Sequence, residues 1–245
     1  MRIRILLPIL PSPVLAEKAA EEYREAAGGS AEISVAALRN GTRTIESDLD
    51  IALSQPETVR AAIEAERDGI DACIVACFSD PGVAAAREAV AIPVIGEGQA
   101  ALHLAAMLAG RFSVITTWEQ CRPRIRRLVG QAGFGPRLAS VRAAGVGVMG
   151  LSNDCLDRLV DQAVRAARDD GAEAVVLGCT GTGENMAAAI ERGVRAALGT
   201  APAIVDPVPA ALAAARSCAA LGLSHSKVAY PTPRDRRPEY RFAVV

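Results

Sequence analysis

The chain has 245 residues, of which 51% are apolar and 3% aromatic, and its formal net charge is −1. This length allows two small lobes, each with its own core. A charge close to zero gives no electrostatic basis for binding nucleic acid or a membrane surface. We therefore expect a small-molecule ligand, and we interpret the basic segment 233–241 as a solvated tail. Helices rich in Ala and Val favour self-association, so we also expect a homo-oligomer.

The sequence predicts a cytoplasmic protein. No apolar run approaches the ~18 residues of a transmembrane helix. The apolar start of the chain is interrupted by Pro8, Pro11 and Pro13, which indicates a first β-strand rather than a signal peptide. The six cysteines have no CxxC spacing, so we interpret them as free thiols in a reducing compartment.

Short apolar runs alternate with helical patterns along the whole chain, which is typical of parallel sheets covered by helices on both faces. Ser54 and Glu57 match a capping box, and Asp80 before Pro81 matches an N-cap followed by proline. The predicted strands are 3–10, 32–38, 72–77, 92–96, 112–117, 139–143, 174–179 and 203–206.

One cysteine-bearing motif occurs in each half of the chain. Aligning Cys77 with Cys179 also aligns Asp68 with Asp170, each at the start of an Asp-Gly turn before an apolar strand. The repeat predicts an α/β fold of two pseudo-symmetric lobes, each with a four-stranded parallel sheet flanked by helices. We expect residues 1–98 with 208–245 to form one lobe and residues 99–207 the other. Because ligands bind beyond the carboxyl ends of parallel strands, we place the active site in the interlobe cleft.

The repeated cysteines suggest acid–base chemistry on a carbon acid. A thiol at a strand–helix junction is near backbone N–H groups and a helix dipole, which lower a cysteine pKa from about 8.5 toward neutrality. One thiolate and one thiol on opposite sides of a stereocentre can remove a proton from one face and deliver one to the other. We interpret Cys73, Cys121, Cys155 and Cys218 as packing residues, since the repeat gives them no such role.

Other chemistries have little support in the sequence. There are only two histidines, His103 and His225, and neither a P-loop nor a Rossmann fingerprint is present. We therefore expect neither a cofactor nor a metal.

Several segments carry a family resemblance. DACIVACFSDPGVAAARE, IPVIGEGQAALHLA, RFSVITT and DGAEAVVLGC follow one another in the order found in the aspartate/glutamate/hydantoin racemase superfamily, and GTRTIESDLD is similar to its GxxSIES feature. Over residues 38–222 the chain most resembles the hydantoin and allantoin racemase branch.

The resemblance implies a cofactor-free mechanism in which Cys77 and Cys179 are catalytic. It also implies a set of substrate-binding residues around them, namely Phe78, Ser79, Thr116, Thr117, Thr180 and Gly181. The sequence differs from the family pattern at two places that bear on which substrate is bound. Pro8 and Ile9, which we also predict to be substrate-binding residues, stand where the family has polar pocket residues, and the second cysteine lies in GCTGTGE rather than GCAGM.

These observations favour a racemase of a 5-substituted hydantoin or a related ureide such as allantoin. A ring-activated carbon acid suits the sequence because no cationic pocket is visible in it. The Gly-Cys-Thr triplet keeps an aspartate- or glutamate-type racemase open, and isomerisation or decarboxylation through the same carbanion is a further alternative. A hypothesis of another class is a non-catalytic ligand-binding protein on the same scaffold.

Overall fold

The computed structural model describes residues 1–147, 155–180 and 186–234 and shows an α/β protein. The strands are Arg2–Leu7 (β1), Glu32–Ala37 (β2), Ala72–Val75 (β3), Val94–Gly96 (β4), Phe112–Thr116 (β5), Leu138–Ala143 (β6), Ala174–Leu177 (β7) and Ala203–Val205 (β8). The helices are Pro13–Ala27 (α1), Asp48–Arg67 (α2), Val83–Ala89 (α3), Glu97–Leu108 (α4), Arg122–Gln131 (α5), Leu156–Asp170 (α6), Met186–Leu198 (α7) and Pro207–Ala220 (α8).

The strands form two four-stranded parallel sheets with the same internal order. The first sheet runs β2-β1-β3-β4 and the second β6-β5-β7-β8, with every pairing parallel. The backbone bonds repeat as well: Ala76 N–H donates to Leu6 O at 2.9 Å, and Gly178 N–H donates to Ile115 O at 2.8 Å. The predicted fold class of two equivalent four-stranded parallel sheets is confirmed.

Apolar side chains fill both faces of each sheet. In the first half, β1–β4, one face packs against α1 and α8 and the other against α2 and α3. In the second half, β5–β8, one face packs against α4 and α5 and the other against α6 and α7. The helix that follows the last strand of each half therefore packs on the sheet of the other half. This exchange of α4 and α8 joins the two sheets. The residue bounds that we gave for the two lobes stay a prediction.

Helix α2 begins earlier than predicted. Its N-cap is Ser47, whose side chain accepts from the Asp50 amide while Asp50 accepts from the Ser47 amide. This capping box lies about two turns before the predicted Ser54–Glu57 box, which was wrong. Ser54 Oγ donates instead to Ile51 O inside the helix, and Glu57 accepts from the Arg39 amide. A serine and a glutamate three residues apart form a capping box only where the serine is the N-cap, that is, where its own backbone angles are not helical.

Within the described residues, no helix combines the length and the apolar character that crossing a bilayer requires.

Candidate active site

The two repeated cysteines leave equivalent points of the two sheets. Cys77 follows β3 by two residues and Cys179 follows β7 by two residues, so both lie at carboxyl edges of parallel strands. The glycine before Cys179 is required there, because a Cβ on Gly178 would lie 2.7 Å from Val114 Cγ1 and 3.0 Å from Ile115 O. The close contact between Gly178 and β5 therefore fixes the position of Cys179.

Both cysteines line one pocket with a volume of about 260 Å³. Its walls come from both halves of the chain, and charge on Cys77 contributes to raising the pKa of Cys179, so the two thiols are within electrostatic reach of each other. The pocket also contains every predicted binding residue that the structure describes, namely Pro8, Ile9, Phe78, Ser79, Thr116, Thr117 and Thr180. Gly181 lies outside the described residues.

The two halves contribute unequal walls. In the second half, β5 ends in Thr116 and Thr117 follows it, both buried with their hydroxyl-bearing side chains at the pocket. The equivalent positions of the first half are Leu7 and Pro8, which are apolar. At these equivalent positions the second half therefore offers hydroxyl groups and the first half offers hydrocarbon.

Burial, not the helix dipole, controls the ionisation of the thiols. Burial raises the pKa of Cys77 to about 12, although the Ser79 backbone amide and the Arg124 charge act in the opposite direction. Burial likewise raises the pKa of Cys179, and the charges of Cys77 and Glu97 add to this effect. The predicted lowering of these pKa values was wrong, because α3 begins only at Val83 and the cost of desolvating a thiolate at these half-buried positions exceeds the stabilisation by the Ser79 amide and the nearby cations.

Asp80 holds the Cys77 loop in place from a position that the sequence did not indicate. It has a φ of 49° and its carboxylate accepts from the Gly98 and Gln99 amides at 2.9 and 2.7 Å. It therefore caps α4, not the helix that follows it, whose N-cap is Gly82. The predicted role of Asp80 as the N-cap of its own helix was wrong. Burial raises the pKa of Asp80 to about 7.

A buried carboxyl group connects the two halves below the pocket. Glu97 is fully buried; its Oε1 accepts from the Tyr23 hydroxyl and its Oε2 from the Thr180 hydroxyl, each at 2.5 Å. Burial raises the pKa of Glu97 to about 8, against the two hydrogen bonds. Since Thr180 follows Cys179 directly, Glu97 fixes the second cysteine loop to α1 and α4. Sequence reasoning missed this residue.

Sequence reasoning also missed three cationic residues of the pocket. Lys18 comes from α1, Arg43 from the loop before α2, and Arg124 from α5. The prediction that the site lacks a cationic pocket was therefore wrong. The signal available was the location of Arg43 in GTRTIES, a segment that the Leu10 amide holds beside β1 by donating to Thr42 O.

The other four cysteines and both histidines are not among the described residues that line this pocket, although the charge of Cys121 contributes to raising the pKa of Cys179. None of the six cysteines forms a disulfide, and Cys73, Cys121 and Cys155 are buried. Across the described part of the chain, no group of three or more His, Cys, Asp and Glu side chains is arranged to hold a metal ion.

The fold and the site define a class: a two-sheet α/β protein whose repeated cysteines face one small pocket. The Asp/Glu/Hydantoin racemase family model matches residues 14–215. The chain is 34% identical to a hydantoin racemase of Paenarthrobacter aurescens over 243 residues, which cover 97% of this chain and 99% of that one. This chain belongs to the Asp/Glu/hydantoin racemase family.

Solved structures agree with this assignment. An allantoin racemase from Klebsiella pneumoniae is 32% identical and superposes with a TM-score of 0.84, covering 96% of this chain and 94% of that chain. An allantoin racemase from Pseudomonas fluorescens has the same identity and TM-score, covering 97% and 99%. These relatives support racemase activity.

Proposed function

We propose that the protein is a cofactor-independent racemase of a 5-substituted hydantoin or a related cyclic ureide such as allantoin. The observation that carries the proposal is the placement of Cys77 and Cys179 at equivalent strand ends around one pocket. The names of the relatives support the substrate class. We retain a homo-oligomer in the cytoplasm as part of the proposal.

In the proposed reaction, one cysteine acts as a thiolate and the other as a thiol. The Cys77 thiolate removes the proton from the stereogenic carbon, and the electron pair moves into the adjacent ring carbonyl. The Cys179 thiol then donates its proton to the opposite face, so Cys77 ends as a thiol and Cys179 as a thiolate. The reverse direction exchanges the two roles, and solvent restores the starting protonation state.

The enolate that forms between the two steps needs hydrogen-bond donors. The hydroxyls of Thr116 and Thr117 line the pocket, whereas the Thr180 hydroxyl donates to Glu97 and the Ser79 amide donates to Cys77. Donors that are held in place before the reaction commonly provide much of the stabilisation of a developing oxyanion. The raised thiol pKa makes each thiolate scarcer and also a stronger base toward a weak carbon acid.

The test is racemisation in D₂O over a panel of D- and L-hydantoins, allantoin, aspartate and glutamate. We expect loss of optical rotation together with deuterium uptake for the hydantoin or ureide class. Cys77→Ala and Cys179→Ala should each reduce the racemisation rate by about 10²–10⁴-fold, the usual contribution of a proton-transfer group. A Cys218→Ala variant serves as the control, because Cys218 is a half-buried residue of α8 outside the pocket. Wild-type rates in both pocket variants would contradict the mechanism.

A second candidate, an aspartate- or glutamate-type racemase, is favoured by Lys18, Arg43 and Arg124 at the pocket. These cations suit the carboxylates of a free acidic amino acid. The same panel decides between the two candidates, since inversion of aspartate or glutamate with no turnover of any hydantoin would favour the second.

A further inference from the structure

The pocket is more cationic than a neutral cyclic ureide requires. Lys18, Arg43 and Arg124 line it from three different elements, whereas Glu22 is the only acidic residue among its described lining residues. Lys18 and Arg43 belong to the first half and Arg124 to the second, so positive charge reaches the ligand from both sides.

Arg124 differs from other buried or half-buried arginines of the described chain, including Arg60, whose Nη1 makes no hydrogen bond but is paired with Glu64. Arg87 donates from Nε to Val94 O, and Arg142 binds Asp170 through Nε and Nη2. In contrast, Nε and Nη1 of Arg124 are buried and have no acceptor among the described residues, and no described carboxylate lies within ion-pair distance of it. Leaving buried donors without acceptors is costly, so such groups in native proteins call for a specific explanation.

The position of Arg124 points to the ligand. Its charge acts to lower the pKa of Cys77, and the charge of Lys18 acts in the same way on Cys179. Each of the two cations therefore lies within electrostatic reach of one of the pocket cysteines. An arginine that has no counterion among the described residues, at the wall of a small pocket, suits a carboxylate, because hydrogen bonds between ionised partners are stronger than neutral ones.

We infer that the substrate carries an anionic group, a carboxylate on the ring substituent, and that Arg124 is the residue that selects it. This inference rests on the proposed function. Arg124 would bind the carboxylate by charge-assisted hydrogen bonds, with Lys18 and Arg43 adding positive potential around it. The ring would then lie between the two cysteines, with its carbonyl groups toward the threonine hydroxyls.

A matched substrate pair tests the inference. The carboxylate of 5-(2-carboxyethyl)hydantoin and the amide of 5-(2-carbamoylethyl)hydantoin have nearly the same shape and differ in charge. We expect the wild-type protein to show a kcat/KM about 10- to 100-fold higher for the carboxylate, the range of a hydrogen bond to a charged group. Arg124→Met should remove most of this preference: kcat/KM for the carboxylate should fall about 10-fold or more beyond the fall for the amide, which loses only the effect of the Arg124 charge on Cys77. Arg124→Lys, which keeps the charge, should recover part of it.

Arg126→Met is the matched control, because Arg126 is exposed on the same helix and does not line the pocket. Equal wild-type rates for the two substrates, or an equal loss for both in Arg124→Met, would overturn the inference and leave the proposed racemase standing. If neither compound is racemised, calorimetry decides. Tighter binding of the carboxylate that Arg124→Met abolishes would sustain the anion site without the racemase, and equal or absent binding would overturn it.

Discussion

The reactivity of the two pocket cysteines depends on what surrounds them more than on the loops that carry them. The FSDPG and TGTGE segments contain small and polar residues that suggest exposed backbone amides, and one such amide, that of Ser79, does reach Cys77. Burial outweighs this contact and raises the pKa of Cys77 to about 12. The depth of a pocket depends on packing from distant segments, so the sequence alone did not reveal the direction of the shift.

This ionisation leads to a prediction for chemical modification. At pH 7 little of Cys77 is thiolate, so iodoacetamide should alkylate it more slowly than free cysteine. The rate should rise about tenfold per pH unit and still be rising at pH 10, where free cysteine, with a pKa of about 8.5, has levelled off. Peptide mapping by mass spectrometry across pH 6–10 measures this. A Cys77 rate that levels off near pH 7 would contradict the raised pKa.

At the scale of the elements, the glycine at the start of α4 is a point of close contact with the first cysteine loop. A Cβ on Gly98 would lie 2.0 Å from Phe78 O, and backbone cannot yield as a flexible side chain can. Gly98→Ala should therefore lower the free energy of unfolding by about 1–3 kcal/mol, as overpacking usually does, and displace Cys77. Chemical denaturation measures the first effect and the racemisation assay the second.

Gly130→Ala is the control for that variant. Gly130 is exposed in α5, and nothing lies within 4 Å of a Cβ placed on it. Since alanine favours a helix over glycine by up to about 1 kcal/mol, this substitution should be neutral or stabilising. Equal destabilisation by both substitutions would show that the contact with Phe78 does not matter.

The elements themselves were largely predictable, and the contacts between them were not. Continuous apolar runs indicated all eight described strands, and the repeated Asp-Gly turns placed Cys77 and Cys179 at equivalent strand ends. The caps at Ser47 and Asp80 were misassigned, because a polar side chain beside a helix does not reveal which helix it serves. Lys18 and Arg124 were missed because a cation on a helix face is normally solvated, and only tertiary packing turns it toward a pocket.

At the scale of the whole molecule, the contact that joins Tyr23, Glu97 and Thr180 spans both halves. A carboxyl whose pKa is raised to about 8 on folding binds more protons in the native state than in the unfolded state at intermediate pH. Its contribution to stability is complete below its unfolded pKa of about 4.3 and is lost as the pH rises through 8.

We therefore expect the free energy of unfolding to fall between pH 5 and pH 9. Glu97→Gln should reduce the slope of this free energy against pH by up to about 1.4 kcal/mol per pH unit. Burial also raises the pKa of Asp80, to about 7, so Asp80 should account for part of the slope that remains in this variant. Denaturant titrations at several pH values measure the slope. Glu17→Gln, on an exposed face of α1, is the control, and identical slopes in the two variants would contradict this role of Glu97.

The unequal walls of the pocket have a thermodynamic consequence for any chiral substrate that the protein inverts. Thr116 and Thr117 face one side and Leu7 and Pro8 the other, so the two enantiomers meet different surroundings although the scaffold is duplicated. Two enantiomers have equal free energies in water, which makes the equilibrium constant of their interconversion one. The Haldane relation then requires kcat/KM to be the same in both directions. If Thr116 and Thr117 lower the KM of one enantiomer relative to the other, its kcat must be lower by the same factor. The asymmetry of this pocket can therefore set how long each enantiomer stays bound, and never the direction of the reaction.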